Sequence, residues 1–228
     1  NMKKTLIGLF IAMFSFGSAS ADAGVNIGVS GNGALFAATA TETDVGPNAT
    51  EKNQESEVLG VGYASIFVEK ELGMFFIGVD YVPSEIETET AESLRVDCPL
   101  TTACTPSSGL AAQNQVTNKV SVEFSDFVTG YVGVTLFDNF YAKVGAITID
   151  IETKESLGTG GTYGNSSIEG TMVGIGGQAD LPNGMFIRGE GTYMDFDAVE
   201  IASSNTNNKV RIDGLDGVSA KVSIGASF

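Results

Sequence analysis

The last eleven residues of the chain are its most restrictive feature. Val218, Ala220, Val222, Ile224, Ala226 and Phe228 alternate with Ser219, Lys221, Ser223, Gly225 and Ser227. Successive side chains of a strand point to opposite faces, so this stretch has one apolar face and one polar or small face. The pattern recurs. Val25, Ile27, Val29 and Leu35 oppose Asn26, Ser30 and Asn32; Phe75, Ile77, Val79 and Tyr81 oppose Gly78 and Asp80. Val132 and Val134 oppose Tyr131, Gly133 and Thr135; Val173, Ile175 and Ala179 oppose Gly174, Gly176 and Gln178. Met185, Ile187 and Tyr193 oppose Arg188, Glu190 and Thr192. A chain of this kind folds as β-sheet.

Two further strands are less regular. In one, apolar parity switches between Val61/Tyr63 and Ile66/Val68, which predicts a bulge. In the other, Val144/Ala146 and Ile147/Ile149/Ile151 compete for the same face, and its orientation stays open. Short connections at Leu72-Gly73, Asp138-Asn139 and Pro182-Asn183-Gly184 carry the backbone freedom of hairpin turns. Long polar connections span about 40–57, 83–118, 153–167 and 198–213. Short and long links alternate, which predicts eight antiparallel up-and-down strands with tight turns at one end and long loops at the other.

Period-two strands suit a soluble barrel with an apolar inside, or a membrane barrel with an apolar outside. The polar faces carry Gly, Ser, Asn, Gln, Lys and Arg, a set that suits the tight interior of eight strands. Aromatic residues gather at strand ends: Phe67, Phe75, Tyr81, Phe137, Phe140, Tyr141, Phe186, Tyr193 and Phe228. Both features favour a transmembrane β-barrel with aromatic girdles.

The N-terminus sets a compartment. Met2-Lys3-Lys4 precedes an apolar run from Leu6 to Phe14 and an Ala19-Ser20-Ala21 site. A basic start, short apolar run and small-residue site are the pattern of a secretory signal peptide, with cleavage expected after Ala21. The run is too short for a spanning helix, which needs ~20 residues. Residues 22–228 are then the barrel domain. Loss of Lys3 and Lys4 would leave 10 basic residues against 28 acidic, a net charge of −18 rather than −16.

Such a charge argues against nucleic acid, whose phosphates need a Lys/Arg surface. The chain has no His, which removes Ser-His-Asp and Cys-His catalysis and most zinc sites. No cofactor and no enzymatic activity are expected.

These residues together resemble small bacterial outer-membrane barrels of the OmpA/OmpX and opacity-protein type. The resemblance covers about 23–228 and rests on Val222-Ser223-Ile224-Gly225-Ala226-Ser227-Phe228 and on hairpin segments such as Asn139-Phe140-Tyr141-Ala142-Lys143-Val144-Gly145. It implies an outer-membrane location, periplasmic turns and extracellular loops. It also implies a final strand whose Val222, Ile224, Ala226 and Phe228 are read by the barrel-assembly machinery, and no peptidoglycan-binding domain. Barrel enzymes of the protease, palmitoyltransferase and deacylase kinds use His, so the resemblance points away from them.

Candidate sites follow. Asp80, Lys143, Arg188, Glu190 and Lys221 are expected in the lumen, either as a gate or polar pore or as a paired network that fills it. The width of eight strands favours filling. Cys98 and Cys104, in the longest loop, read as a disulfide clip of an exported chain. Glu42, Asp44, Glu51, Glu55 and Glu57, then Glu85, Glu87, Glu89, Glu92 and Asp97, make the loops acidic. Such runs usually keep a loop solvated; bridging to lipopolysaccharide through divalent ions is the sharper alternative. Gly158-Thr159-Gly160-Gly161 lacks the strand-to-helix setting and Lys of a phosphate loop. The expected protein is a monomer in contact with outer-membrane lipid and lipopolysaccharide. It is either a surface-interaction barrel that meets an extracellular ligand through its loops, a narrow solute channel, or a soluble periplasmic binding barrel.

Overall fold

The computed structural model describes residues 24–45, 50–88, 90–96, 115–137, 139–157, 162–204 and 208–228. The proposed leader at 1–21, Cys98, Cys104, Glu89, Asp97 and 158–161 lie outside them.

Eleven strands run in chain order as β1 (Val25–Val45), β2 (Thr50–Leu72), β3 (Phe75–Val82), β4 (Ile86–Glu87), β5 (Ala91–Val96), β6 (Gln115–Phe137), β7 (Phe140–Ser156), β8 (Ser166–Asp180), β9 (Met185–Phe196), β10 (Val199–Ala202) and β11 (Lys209–Ser227). Eight of them form the ring β1-β2-β3-β6-β7-β8-β9-β11, closed by antiparallel pairing of β11 with β1. β4 and β5 carry the third stave upward along β6, and β10 carries the seventh upward along β11. At the turn end the ring is sealed by reciprocal hydrogen bonds, Val25 N to Phe228 O at 3.1 Å and Phe228 N to Val25 O at 2.9 Å. The fold is an eight-stranded antiparallel up-and-down β-barrel.

The partition of side chains is that of a membrane barrel. Ile27, Val29, Val132, Val144, Val173, Ile175, Ile187, Val222 and Ile224 face outward and exposed, whereas Asn26, Ser30, Asn32, Ser65, Asp80, Lys143, Arg188 and Glu190 are buried inside. An apolar band outside and polar groups within is stable only where the surrounding solvent is hydrocarbon. A soluble barrel would carry the reverse arrangement, so that alternative is excluded. Among the described residues no helix is long and apolar enough to cross a membrane.

Three expectations are corrected. β2 pairs with β1 without interruption from Val25↔Lys70 to Val45↔Thr50, so it carries no bulge. Its parity switch has another cause: Tyr63 faces the lumen and meets the Phe127 ring, 5.7 Å between centroids, while Ile66 faces out. The register breaks lie elsewhere: in β6 between Ser125 and Val128, where Asp126 has φ 49°, and again between Thr135 and Phe137, and in the β11–β1 ladder beside Gly214 at φ 59°. Second, Phe67, Tyr141 and Phe186 belong to no girdle; they are buried in the lumen, while Phe75, Phe137, Phe140 and Phe228 ring the turn end outside. Third, much of the long connections is strand. β1 and β2 continue to residues 45 and 50, and β10–β11 occupy most of 199–213. A membrane needs ~9–11 residues per strand, so staves of 21 and 23 residues rise well beyond it at the open end.

Candidate functional site: a filled lumen

The five residues expected in the lumen are all there. Lys143 (β7) and Glu190 (β9) pair at 2.8 Å, and Lys221 (β11) and Asp80 (β3) at 2.5 Å. Arg188 (β9) pairs at 2.7 Å with Glu69 of β2. Three cations thus meet three carboxylates, and the lumen core is formally neutral although the chain is not.

Hydrogen bonds hold these groups in place. Tyr131 Oη donates to Glu69 Oε1 at 2.8 Å, the oxygen that also accepts from Arg188 Nη1. Tyr141 Oη donates to Glu190 Oε2 at 2.8 Å, and Thr192 Oγ1 to Glu190 Oε1 at 3.1 Å. The Arg188 guanidinium also donates to Gln178 Oε1 from Nη2 at 2.8 Å. It sits 4.9 Å from the Phe186 ring centroid and 5.1 Å from that of Tyr141, and Lys143 Nζ lies 4.1 Å from that of Tyr131. Charge buried in low dielectric is tolerated only when paired and hydrogen-bonded, and each ion here has both.

Glu69, Tyr131, Tyr141 and Gln178 were not singled out from the sequence as partners. Glu69 stands in Val68-Glu69-Lys70-Glu71 beside a turn, where it reads as a solvated charge, yet it is 1% exposed. Unbroken parity from Tyr63 through Ser65 and Phe67 is the signal that would have placed it inside.

Room for the large rings comes from glycines directly across the ladder. Gly28 faces Phe67, Gly78 faces Tyr131, Gly133 faces Phe76, Gly176 faces Tyr141 and Gly225 faces Phe186. A Cβ at Gly133 would lie 2.1 Å from the Phe76 ring, and one at Gly176 2.4 Å from Tyr141. Much of the glycine content on the polar faces is therefore space for aromatic side chains.

Above the ionic layer the lumen turns apolar. Val82, Phe127, Ile147, Ile149, Ile151, Ile168, Met172, Met194 and Phe196 form one buried cluster. This settles the faces of β7: Ile147, Ile149 and Ile151 point inward and Val144 outward. The β6 bulge at Asp126 shifts the facing of that strand, so Phe124 and Val122 join Phe127 against the cluster. Between the layers a cavity of about 20 Å³ touches Asn32, Asp80, Phe127 and Lys221, room for a single water.

At the open end most of the paired charges are solvated: Lys119–Glu92 and Lys209–Glu200 pair at 2.5 and 2.8 Å with half-exposed side chains, whereas Lys154 pairs with the buried carboxylate of Glu123. Among the described residues no three metal-ligating side chains converge.

The sequence matches no family model. No curated protein matches it either. Solved structures similar to it are outer-membrane proteins. OprG of Pseudomonas aeruginosa is 10% identical over 91% of this chain and 98% of its own, with a TM-score of 0.49. The outer-membrane protease OmpT of Escherichia coli is 8% identical over 94% and 100%, also at 0.49. AlkL, solved in lipid bilayers, is 12% identical over 93% of each chain, at 0.45.

Proposed function

We propose that this chain is a non-catalytic outer-membrane barrel whose closed lumen makes it a scaffold for strands and loops displayed outside the cell. One observation carries the reading: two different seals are stacked in the lumen, a neutral set of three ion pairs and an apolar cluster above it. The apolar cluster offers a permeating ion nothing to replace its hydration, and the ionic layer leaves no charged group unpaired to attract one. The external apolar belt contacts lipid, and the elongated open end reaches the lipopolysaccharide headgroups and whatever lies beyond. Export by the 1–21 leader and delivery by the barrel-assembly machinery through Val222, Ile224, Ala226 and Phe228 belong to the same reading. So does a Cys98–Cys104 clip in the longest connection.

Planar-bilayer recording of the purified, refolded chain tests it. Silent bilayers are expected; discrete, reproducible openings would establish the narrow-channel reading instead. Mass measurement of the exported protein checks the leader, with Asp22 expected as the first residue.

A further inference from the structure

The ring of eight is complete only near the turn end. β2 pairs with β3 from Ile66 to Leu72, but from Thr50 to Ser65 its ladder is with β1 alone. The next strands along the third stave, β4 and β5, pair only with β6. No ladder joins either of them to β2 among the described residues. Pro83 ends β3 at the point of separation, since a proline has no N–H to give a ladder. Beyond the membrane the described residues therefore leave the wall split between two sheet edges.

The free groups on β2 can be assigned. Glu71 N donates to Gly24 O, so odd residues of β2 are bonded to β1 through the unbroken register. The N–H and C=O of even residues, among them Lys52, Gln54, Ser56 and Val58, point across the split. No ladder or loop hydrogen bond among the described residues takes them up. Extending the β2–β3 register upward would set Glu55 against Glu92 and Gly60 against Glu87. Along the two edges the described side chains Glu55, Glu57, Glu85, Glu87 and Glu92 are exposed, set against Lys52, with Glu92 held by Lys119 at 2.5 Å. Like charges facing each other across a ladder oppose its closure.

We infer that this split is a docking slot for an extended, lysine- or arginine-rich segment of another protein, which adds as a strand to β2. The inference rests on the surface-interaction reading above and specifies the partner's chemistry. Backbone pairing at an open edge gives affinity, and the acidic rims select the charge. The same acids repel a neutral or acidic strand, including a second copy of this chain, which guards the edge against self-association.

The full chain in lipid nanodiscs is titrated with a labelled ten-residue peptide alternating Lys and Thr. Controls are the Gln-Thr peptide and two Lys-Thr peptides N-methylated at odd or at even positions. Expected results are tenfold weaker binding of at least one methylated control and of the Gln-Thr peptide. Gln54→Pro, which removes a slot-facing N–H and spares the β1 ladder, is expected to lower affinity several-fold. Retention of the heat-modifiable gel shift confirms that the variant is folded, and Glu55→Gln/Glu57→Gln reports the rim charges without touching the backbone. Binding of both methylated controls as tight as that of the parent, binding of the Gln-Thr peptide as tight as that of the parent, or no binding at all overturns the proposal. Cross-linked dimers joined through β2 without peptide would assign the slot to a second copy. Bilayer silence is independent of every one of these outcomes, so failure here leaves the closed-lumen reading standing.

Discussion

Single residues in this barrel carry unequal weight, and Glu69 carries more than its place beside a turn suggests. It accepts from both Arg188 and Tyr131 on one oxygen. Glu69→Ala strands a buried guanidinium, and the cost of breaking such a pair is about 3–5 kcal/mol. Urea unfolding in vesicles, followed by tryptic protection, is expected to show that loss. Gly133→Ala is expected to destabilise by about 1–3 kcal/mol through overpacking against Phe76; Phe76→Leu in the same chain should recover part of it. Outside the membrane, Glu200 on β10 accepts from Lys209, and that hydrogen bond holds its carboxyl below the ordinary range. The contribution of the pair is present above the unfolded carboxylate pKa of about 4.3 and is lost as pH falls through the lower folded value. A carbon-detected NMR titration of Glu200 reads this directly, and Lys209→Met is expected to return the midpoint upward.

At the scale of the strand, β2 has two regimes. From Ile66 to Leu72 both sides of its backbone are in ladders, whereas above that only one side is. Amide exchange in lipid should therefore alternate along 52–64, odd residues slow and even residues fast, and lose the alternation below Ile66. Uniform protection along both parities would mean that the split is closed. On β11 the outward face is as exacting as the inward one. Val222 is 70% exposed to the surroundings of the belt, and Val222→Arg is expected to cost about 2–4 kcal/mol in vesicles if it lies near the midplane.

How much of each strand could be read beforehand depends on what its two faces contain. β1 and β11 separate apolar from polar cleanly within the membrane, and their alternation alone orients them; in β3, β8 and β9 the outward alternation still orients the strand, although Phe76, Met172, Phe186 and Met194 line the lumen. β7 could not be oriented that way, because Ile147, Ile149 and Ile151 line the lumen while Val144 meets lipid. Both faces of that strand are apolar, for two unrelated reasons. The same mixture hid Glu69: with Val61 and Tyr63 inward and Ile66 and Val68 outward, apolarity ceased to mark the side. The Asp126 register shift has no marker in composition at all.

For the molecule as a whole, two seals in series imply tolerance of a lesion in either. Lys143→Met/Glu190→Gln removes one ion pair and leaves the apolar cluster intact, so bilayers are expected to stay silent. Adding Phe127→Ala and Met194→Ala opens the second seal, and conductance is expected only in that combined variant. Openings from the first pair of substitutions alone would show that the ionic layer is the sole barrier. The distribution of charge follows the same division. Since the lumen set is neutral, the chain's excess of acid is carried elsewhere, and much of it faces solvent at the open end.

The ion pairs also span the chain at long range: Arg188 and Glu69 are 119 positions apart, and Lys221 and Asp80 141. Their partners come from strands that become neighbours across the lumen only when the ring shuts. A ring closed with one hairpin missing, or with a stave slipped out of register, would trap unmatched charges in a space with almost no room for water. The lumen thereby proofreads stave number and register at the moment of closure.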